Sequence, residues 1–374
     1  MMLCPIPQRR FSEFSSSLDK ATIERRIPYM GVFELTYRCN QACRHCYCNL
    51  PLNDKRKNEE LKLNEIKRLL DEITDEGCLW LLFTGGEVLI REDFFEIYLY
   101  ALRKGILVEV FTNATLITED VAQYFAEFPP LGIEISIYGS NPLVHDNITR
   151  MSGSFEKTMQ GINRLLRYKV SFSLKTMLMT LNYHDLENMQ KLARDLNVEF
   201  KFDCLICPRI DGEKTPLQYR LPLKKVVDLE LQDEKDLMIY KEIFEAFYKK
   251  DFKDTFICTA GINSFTANPY GVLNPCTMFL SFQYPLRGSS FRDAWKRLIS
   301  DYGNGPNDFI TPECRACSMV YICPSCPAWV ELEAKGFDKK VDYLCEYALY
   351  LEKRFLEKTK EVKDAKEVLQ EARD

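Results

Sequence analysis

Between residues 32 and 203 six short apolar runs alternate with amphipathic helical stretches. No other feature narrows the fold as far, because a regular β/α alternation buries itself as a parallel sheet with helices packed on it. Strands are predicted at 32–37, 78–83, 106–111, 132–138, 171–179 and 198–203. Between them, Leu63, Ile66, Leu69, Leu70 and Ile73 share one helical face that ends at Gly77. Further helices are predicted at 91–104, 155–167 and 184–196. The run "CLWLLF" is continuously apolar, as in a strand buried on both faces. The class is therefore α/β, with a partial (β/α)6 barrel of TIM type as the expected architecture. From pattern alone, a doubly wound open sheet is the alternative.

After about Leu205 the alternation stops. One more amphipathic helix is predicted at 233–250, then a cysteine-rich region punctuated by Pro and Gly at 258–345, then a charged helix to residue 374. The expected organisation is an N-terminal arm (1–30), a barrel (31–232), a bridging helix (233–257), a cysteine-rich domain (258–350) and a terminal helix (351–374). A net charge of −5 gives no electrostatic footprint for nucleic acid or for an acidic membrane surface. No run approaches the roughly 18 apolar residues of a spanning helix, and the first residues lack a signal-peptide core. These features read as a cytoplasmic protein. Fifteen cysteines without a secretory signal then read as reduced, metal-binding thiols rather than disulfides.

Cys39, Cys43 and Cys46 stand in "RCNQACRHCY", spaced C-x3-C-x2-C, just after the first strand. In a parallel barrel that is the C-terminal face, where active sites lie. Three thiolates in one short loop can anchor three irons of a cubane, leaving the fourth iron open to a reacting ligand. A zinc site completed by a distant ligand such as Cys48, or a chance cluster of core cysteines, is the competing reading. After the second strand comes "TGGE", with Gly85 and Gly86 suited to close backbone approach and Glu87 placed to receive an amine.

Together these motifs resemble the radical S-adenosylmethionine (radical SAM) superfamily, whose first-strand signature is C-x3-C-x-aromatic-C; His45 occupies the aromatic slot. "TNA", containing Asn113, follows the third strand where the family often has Thr-Asn-Gly. "SIYGSNPLVHDNITRMSGSFEKT" resembles the segment in which Ser136 and Arg150 would contact the cofactor's carboxylate or ribose. Leu205, after the sixth strand, would contact adenine. The resemblance implies a [4Fe-4S] cluster on Cys39, Cys43 and Cys46 whose open iron chelates S-adenosyl-L-methionine, with Glu87 on its amine. It further implies reductive cleavage to a 5′-deoxyadenosyl radical that takes a hydrogen atom from an unactivated carbon.

The later cysteines run C-x12-G-x4-C, gap, C-x2-C-x5-C-x2-C, gap, C, with Gly271 as the glycine. A pair of zinc ribbons is one reading of C-x2-C. The whole spacing resembles the SPASM domain, which carries auxiliary iron–sulfur clusters, except that the last short spacing is x2 where the family has x3. Carried over by position, Cys258, Cys276 and Cys326 would bind the cluster nearer the active site, one ligand short. Cys314, Cys317, Cys323 and Cys345 would close a complete four-thiolate site. Cys204 and Cys207 are read as cavity lining, a fourth ligand or a hydrogen-atom donor.

Enzymes with this extension modify peptides or proteins, so the implied activity is oxidative crosslinking, by thioether or carbon–carbon bond, of a ribosomally made peptide. The implied partners are a peptide or protein substrate, a separate leader-binding protein, and a one-electron donor such as flavodoxin or ferredoxin. The alternatives are formylglycine maturation of a sulfatase, modification of a small molecule or tetrapyrrole, and, outside catalysis, an iron–sulfur electron carrier.

Overall fold

In the computed structural model the described residues are 11–48, 50–232, 234–248, 258–320 and 322–371. For 11–14, 234–236, 245–248 and 361–371 the backbone alone is described. Residues 1–10 of the expected arm, Cys4 among them, and 249–257 of the expected bridge lie outside the described residues.

The chain enters through helix α1 (Phe11–Arg25) and then winds six strand–helix units. These are β1 (Met30–Thr36) with α2 (Leu63–Asp75), β2 (Trp80–Gly85) with α3 (Phe94–Arg103), and β3 (Leu107–Thr112) with α4 (Glu119–Glu127). Next come β4 (Gly132–Ser136) with α5 (Pro142–Thr149) and α6 (Ser154–Arg167), β5 (Ser173–Met177) with α7 (Leu186–Asp195), and β6 (Glu199–Asp203) with α8 (Leu223–Glu230) and α9 (Glu234–Tyr248). The C-terminal part holds β7 (Ser264–Ala267), β8 (Val272–Asn274), β9 (Tyr284–Pro285), α10 (Phe291–Tyr302), the single turn α11 (Pro312–Arg315), α12 (Pro327–Ala334) and the long α13 (Asp342–Glu371).

Strands β1 to β6 lie side by side in chain order, every pair parallel. A doubly wound sheet reverses its order at a switch point. This one does not, which settles the architecture as a partial barrel. Beyond β1 the sheet continues into β7, which pairs in parallel from Met30↔Ser264 to Phe33↔Ala267, and then into antiparallel β8 and β9. The sheet therefore crosses the sequence boundary expected near residue 258.

Helix α2 shows how the pattern becomes structure. Ile66, Leu69, Leu70 and Ile73 recur at helical spacing and are buried, each contributing roughly 2 kcal/mol of apolar burial. Glu65 reaches back to the Lys62 amide at 2.8 Å, satisfying an orphan N–H at the helix start. Gly77, at φ +96°, takes the left-handed turn that ends the unit. One contiguous core joins Phe33, Phe83, Val110, Ile135 and Leu174 of the strands to Leu70, Ile97, Phe125 and Ile162 of the helices. Phe265, Trp295 and Tyr302 belong to that same core, so the C-terminal region shares it with the barrel.

Strand β2 departs from the expectation for "CLWLLF". It spans Trp80–Gly85, and burial alternates, with Leu81 and Phe83 covered and Trp80 and Leu82 partly exposed. The reason is the open sheet: helices cover one face, while the other looks toward a barrel that does not close on itself.

Candidate active site

The loop from Cys39 to Leu50 leaves the C-terminal end of β1 and returns to it. Its neck is closed by Cys39 N–H donating to Leu50 O at 2.9 Å and Leu50 N–H donating to Tyr37 O at 3.0 Å. Ala42 and Arg44 N–H donate to Thr149 and Ile148 carbonyls, so the C-terminus of α5 holds the loop from outside. Beneath it, the buried Arg38 guanidinium pairs with buried Glu60 through two bonds of 2.9 and 3.0 Å. A backbone fixed at this many points presents its thiols without the entropy of a free loop.

Cys39, Cys43 and Cys46 line one cavity of about 240 Å³ at the mouth of the barrel. His45, Gly85, Gly86, Asn113, Ser136 and Leu205 line it too. Burial, then the Glu87 carboxylate, pushes the Cys39 thiol up to about 12. Burial, then the neighbouring thiolates of Cys46 and Cys39, raises Cys43 as well. Crowded thiols of this kind ionise together only against a cationic centre, which suits iron. Gln41 Nε2 and His45 Nδ1 are buried beside them with no hydrogen-bond partner among the described residues. Those orphaned atoms, with three convergent thiols, fit a polar metallocofactor better than an apolar void.

The glycines of "TGGE" have a more specific task than approaching a ligand. A Cβ on Gly85 would lie 2.1 Å from Thr36 O, and one on Gly86 would lie 2.1 Å from Arg38 O. The β2 loop thus presses directly on the root of the cysteine loop, sealed by Gly86 N–H to Thr36 O and Glu87 N–H to Arg38 O.

Glu87 is fully buried and is not among the residues lining the cavity. Its carboxylate accepts from Thr112 Oγ1 at 2.8 Å, Asn113 N–H at 2.7 Å and Leu89 N–H at 3.1 Å. Burial raises its pKa and these donors hold it back. Three of roughly four acceptor positions on a carboxylate are therefore occupied, and the side chain fastens β2 to β3. Arg150 is also placed away from the cavity. It is exposed in the left-handed cap of α5, at φ +55°.

The structure adds residues that spacing did not reveal. Tyr138 meets His45 edge-on, centroids 4.7 Å apart. Asn113 Nδ2 donates to Asn40 Oδ1 at 2.8 Å and lies 3.8 Å from Cys39 Sγ. Tyr47, Phe111 and Met177 complete the wall. The "TNA" tripeptide hinted at Asn113; nothing local pointed to Tyr138 or Met177.

The later cysteines fall into two groups. Cys314, Cys317, Cys323 and Cys345 line a small cavity of about 100 Å³ with Ile310, Met319, Val320 and Leu349. Cys258, Cys276 and Cys326 lie close enough to feel one another's charge, and after burial all three oppose ionisation of the Tyr302 hydroxyl. That hydroxyl is buried and has no partner among the described residues. Among the described residues no three His, Cys, Asp or Glu side chains are gathered as they would be around a single ion. A four-iron cluster is a larger object, and separate thiols at the edge of a cavity suit its corners.

A sequentially wound, open barrel with thiols at its C-terminal mouth is the frame of an enzyme that works on a cofactor held by its loops. Residues 33–196 match the family model of the radical SAM superfamily, and the chain is an enzyme carrying that domain. It is 25% identical over 349 residues to the AdoMet-dependent heme synthase of Methanosarcina barkeri, covering 86% of this chain and 97% of that protein. It is 25% identical over 287 residues to the antilisterial bacteriocin subtilosin biosynthesis protein AlbA of Bacillus subtilis, covering 73% of this chain and 60% of that one. In fold it is similar to Streptococcus suis SuiB bound to precursor peptide SuiA, with a TM-score of 0.66 at 15% identity, over 92% of this chain and 84% of that one. Among the described residues no helix is long and apolar enough to cross a membrane.

Proposed function

We propose that this chain is a radical SAM enzyme with two auxiliary iron–sulfur clusters that oxidatively modifies a ribosomally made peptide. The observation that carries the reading is the separation of ten cysteines into three groups, one at the barrel mouth and two in the C-terminal region. A [4Fe-4S] cluster with bound S-adenosyl-L-methionine supplies one-electron chemistry and a carbon-centred radical. Cys39, Cys43 and Cys46 would hold that cluster. Gly85, Gly86 and Asn113 edge the space beside it, and Leu205 and Ile206 supply an apolar wall that excludes water. The two later groups would hold clusters that accept the electron left on an oxidised substrate, with flavodoxin or ferredoxin as the first donor.

A peptide is favoured over a tetrapyrrole by charge. None of the described residues lining the cavity is Lys or Arg. A porphyrin bearing several carboxylates calls for such partners, whereas a peptide segment does not. The second reading, action on a tetrapyrrole, draws on the heme synthase relative that aligns over 97% of its length.

Anaerobically reconstituted protein is expected to hold about twelve irons per chain and to release 5′-deoxyadenosine with dithionite and S-adenosyl-L-methionine. Peptide precursors and an iron porphyrin carrying propionates are then offered in parallel, with products read by mass. Loss of hydrogen from a peptide supports the proposal. Loss of carbon dioxide from the porphyrin, with every peptide unchanged, would replace it with the second reading.

A further inference from the structure

The group formed by Cys258, Cys276 and Cys326 is one thiolate short of the four that a fully ligated cubane takes. Four other described cysteines lie outside the three groups. Cys48 is buried against Tyr37 and Leu50, and its thiol donates to Gly85 O. Cys78 donates to Trp80 O at the foot of β2. Cys204 is sealed in an apolar cluster with Leu178 and Val226. Cys207 remains, and it faces two ways. It lines the barrel-mouth cavity beside Leu205 and Ile206. It also packs on the apolar cluster of Trp329, Val330, Val341 and Leu344, against which Cys326 packs as well.

We propose that Cys207 is the fourth ligand of the cluster held by Cys258, Cys276 and Cys326, supplied by the barrel and set in the wall of the active-site cavity. This rests on the auxiliary-cluster reading above. Of two further observations, the first supports Cys207 independently of the count and the second supports a cluster at this site. The first is a clamp. Arg220 Nε donates to Ile206 O at 2.9 Å, and Arg220 Nη1 donates to Glu333 Oε1 at 2.8 Å. Glu333 lies on α12, the helix whose Trp329 N–H is capped by the Cys326 sulfur at 3.3 Å. The guanidinium also sits 4.2 Å over the Tyr343 ring. One largely covered arginine thus ties the segment carrying Cys207 to the helix that starts at Cys326. The second is the Tyr302 hydroxyl, which is buried without a partner among the described residues and feels the charge of all three thiols. A sulfur of any cluster held there would give that O–H an acceptor, whichever group is its fourth ligand.

Ligation forms one Fe–S bond, sends the Cys207 proton to water and changes no oxidation state. The consequence is positional. With its fourth corner on Cys207, the cluster abuts the cavity wall, so an electron need cross little more than one side chain to leave a substrate held there. No iron at this cluster is then open to a substrate thiolate.

The test uses the full chain with Cys39→Ala, Cys43→Ala and Cys46→Ala, which removes the first cluster and leaves the auxiliary signals alone. About eight irons per chain are expected, with paramagnetic resonance of the reduced protein unmoved by excess cyanide. Adding Cys207→Ala should make one of the two signals respond to cyanide. Adding Cys207→Ser, which keeps an oxygen ligand and guards against loss of the fold, should keep the iron and displace that same signal. A cyanide response before Cys207 is touched means an open iron and overturns the proposal. Spectra indifferent to both Cys207 variants place the ligand elsewhere and overturn it too. Iron far below eight in the starting variant would sink the auxiliary-cluster reading itself, a result distinct from the other two.

Discussion

Gly86 carries more of the site than its lack of a side chain suggests. Its Cα faces Arg38 O so closely that a methyl group would sit 2.1 Å from that oxygen and 2.6 Å from its carbon. Backbone on both sides leaves nothing flexible to yield. Gly86→Ala must therefore push the β2 loop off the root of the cysteine loop, at a cost of roughly 3 kcal/mol. The expected result is a Tm lower by about 5 °C or more, with about four irons lost from the first site. The auxiliary signals should persist, because Gly86 touches neither later group. A variant with unchanged Tm and full iron would mean that the contact between the two loops is looser than described. Glu87, next in sequence, illustrates the same economy. Its backbone N–H seals the loop root while its carboxylate collects donors from β3.

Among elements, the segment after β6 is the one whose position is decided by a partner. Nothing in residues 204–208 forms helix or strand. The segment is held instead by Arg220, which is 10% exposed in its side chain and paired with Glu333 at 13%. A pair this buried is costly to break from one side. Arg220→Met keeps the aliphatic stem but leaves Glu333 without its cation and Ile206 O without its donor, at a cost of roughly 2–4 kcal/mol. Glu333→Gln should cost less, since the amide still accepts from Arg220. In a double-mutant cycle by chemical denaturation, the combined variant should lose less than the sum, with a coupling of about 1 kcal/mol or more. Strict additivity would show that the pair is incidental and that apolar packing alone holds the segment.

At the scale of the whole molecule, the cysteine-rich region is continuous with the barrel. β7 lends β1 its second partner, and Phe265 and Trp295 are buried in the barrel's own core. An edge strand stripped of that cover exposes unpaired backbone and apolar side chains together. A chain ending at residue 257 is therefore expected to aggregate or to elute as expanded species in size-exclusion chromatography, even with iron and sulfide supplied. A monomeric truncation with native circular dichroism would show that the barrel folds by itself and that the shared core is dispensable. The same continuity bears on function. The Cys276 and Cys326 side chains pack on the core that holds Phe33 and Leu35 of β1, so the thiols of the C-terminal region are fixed relative to the barrel rather than tethered to it.

The amino-acid sequence by itself determined the six β/α units and the chemistry of the barrel mouth. Both are local: helical and strand periodicities repeat within about fifteen residues, and C-x3-C-x2-C brings three thiols together in almost any fold of the loop. It also separated the later cysteines into a set of three and a set of four, through the family spacing that they resemble. The tertiary structure decided what depends on long-range approach. Sequential strand order chose the partial barrel over the open sheet. Thr112 and Asn113, some 25 residues away along the chain, drew the Glu87 carboxylate into the β2–β3 junction. Arg150, which the family resemblance assigns to the cofactor, occupies the exposed left-handed cap of α5. Cys207, one of several unassigned thiols in the sequence, was singled out by a clamp between residues 113 positions apart. Spacing along a chain fixes which groups can meet in one loop; which groups meet across the core is fixed by packing, and no short pattern encodes it.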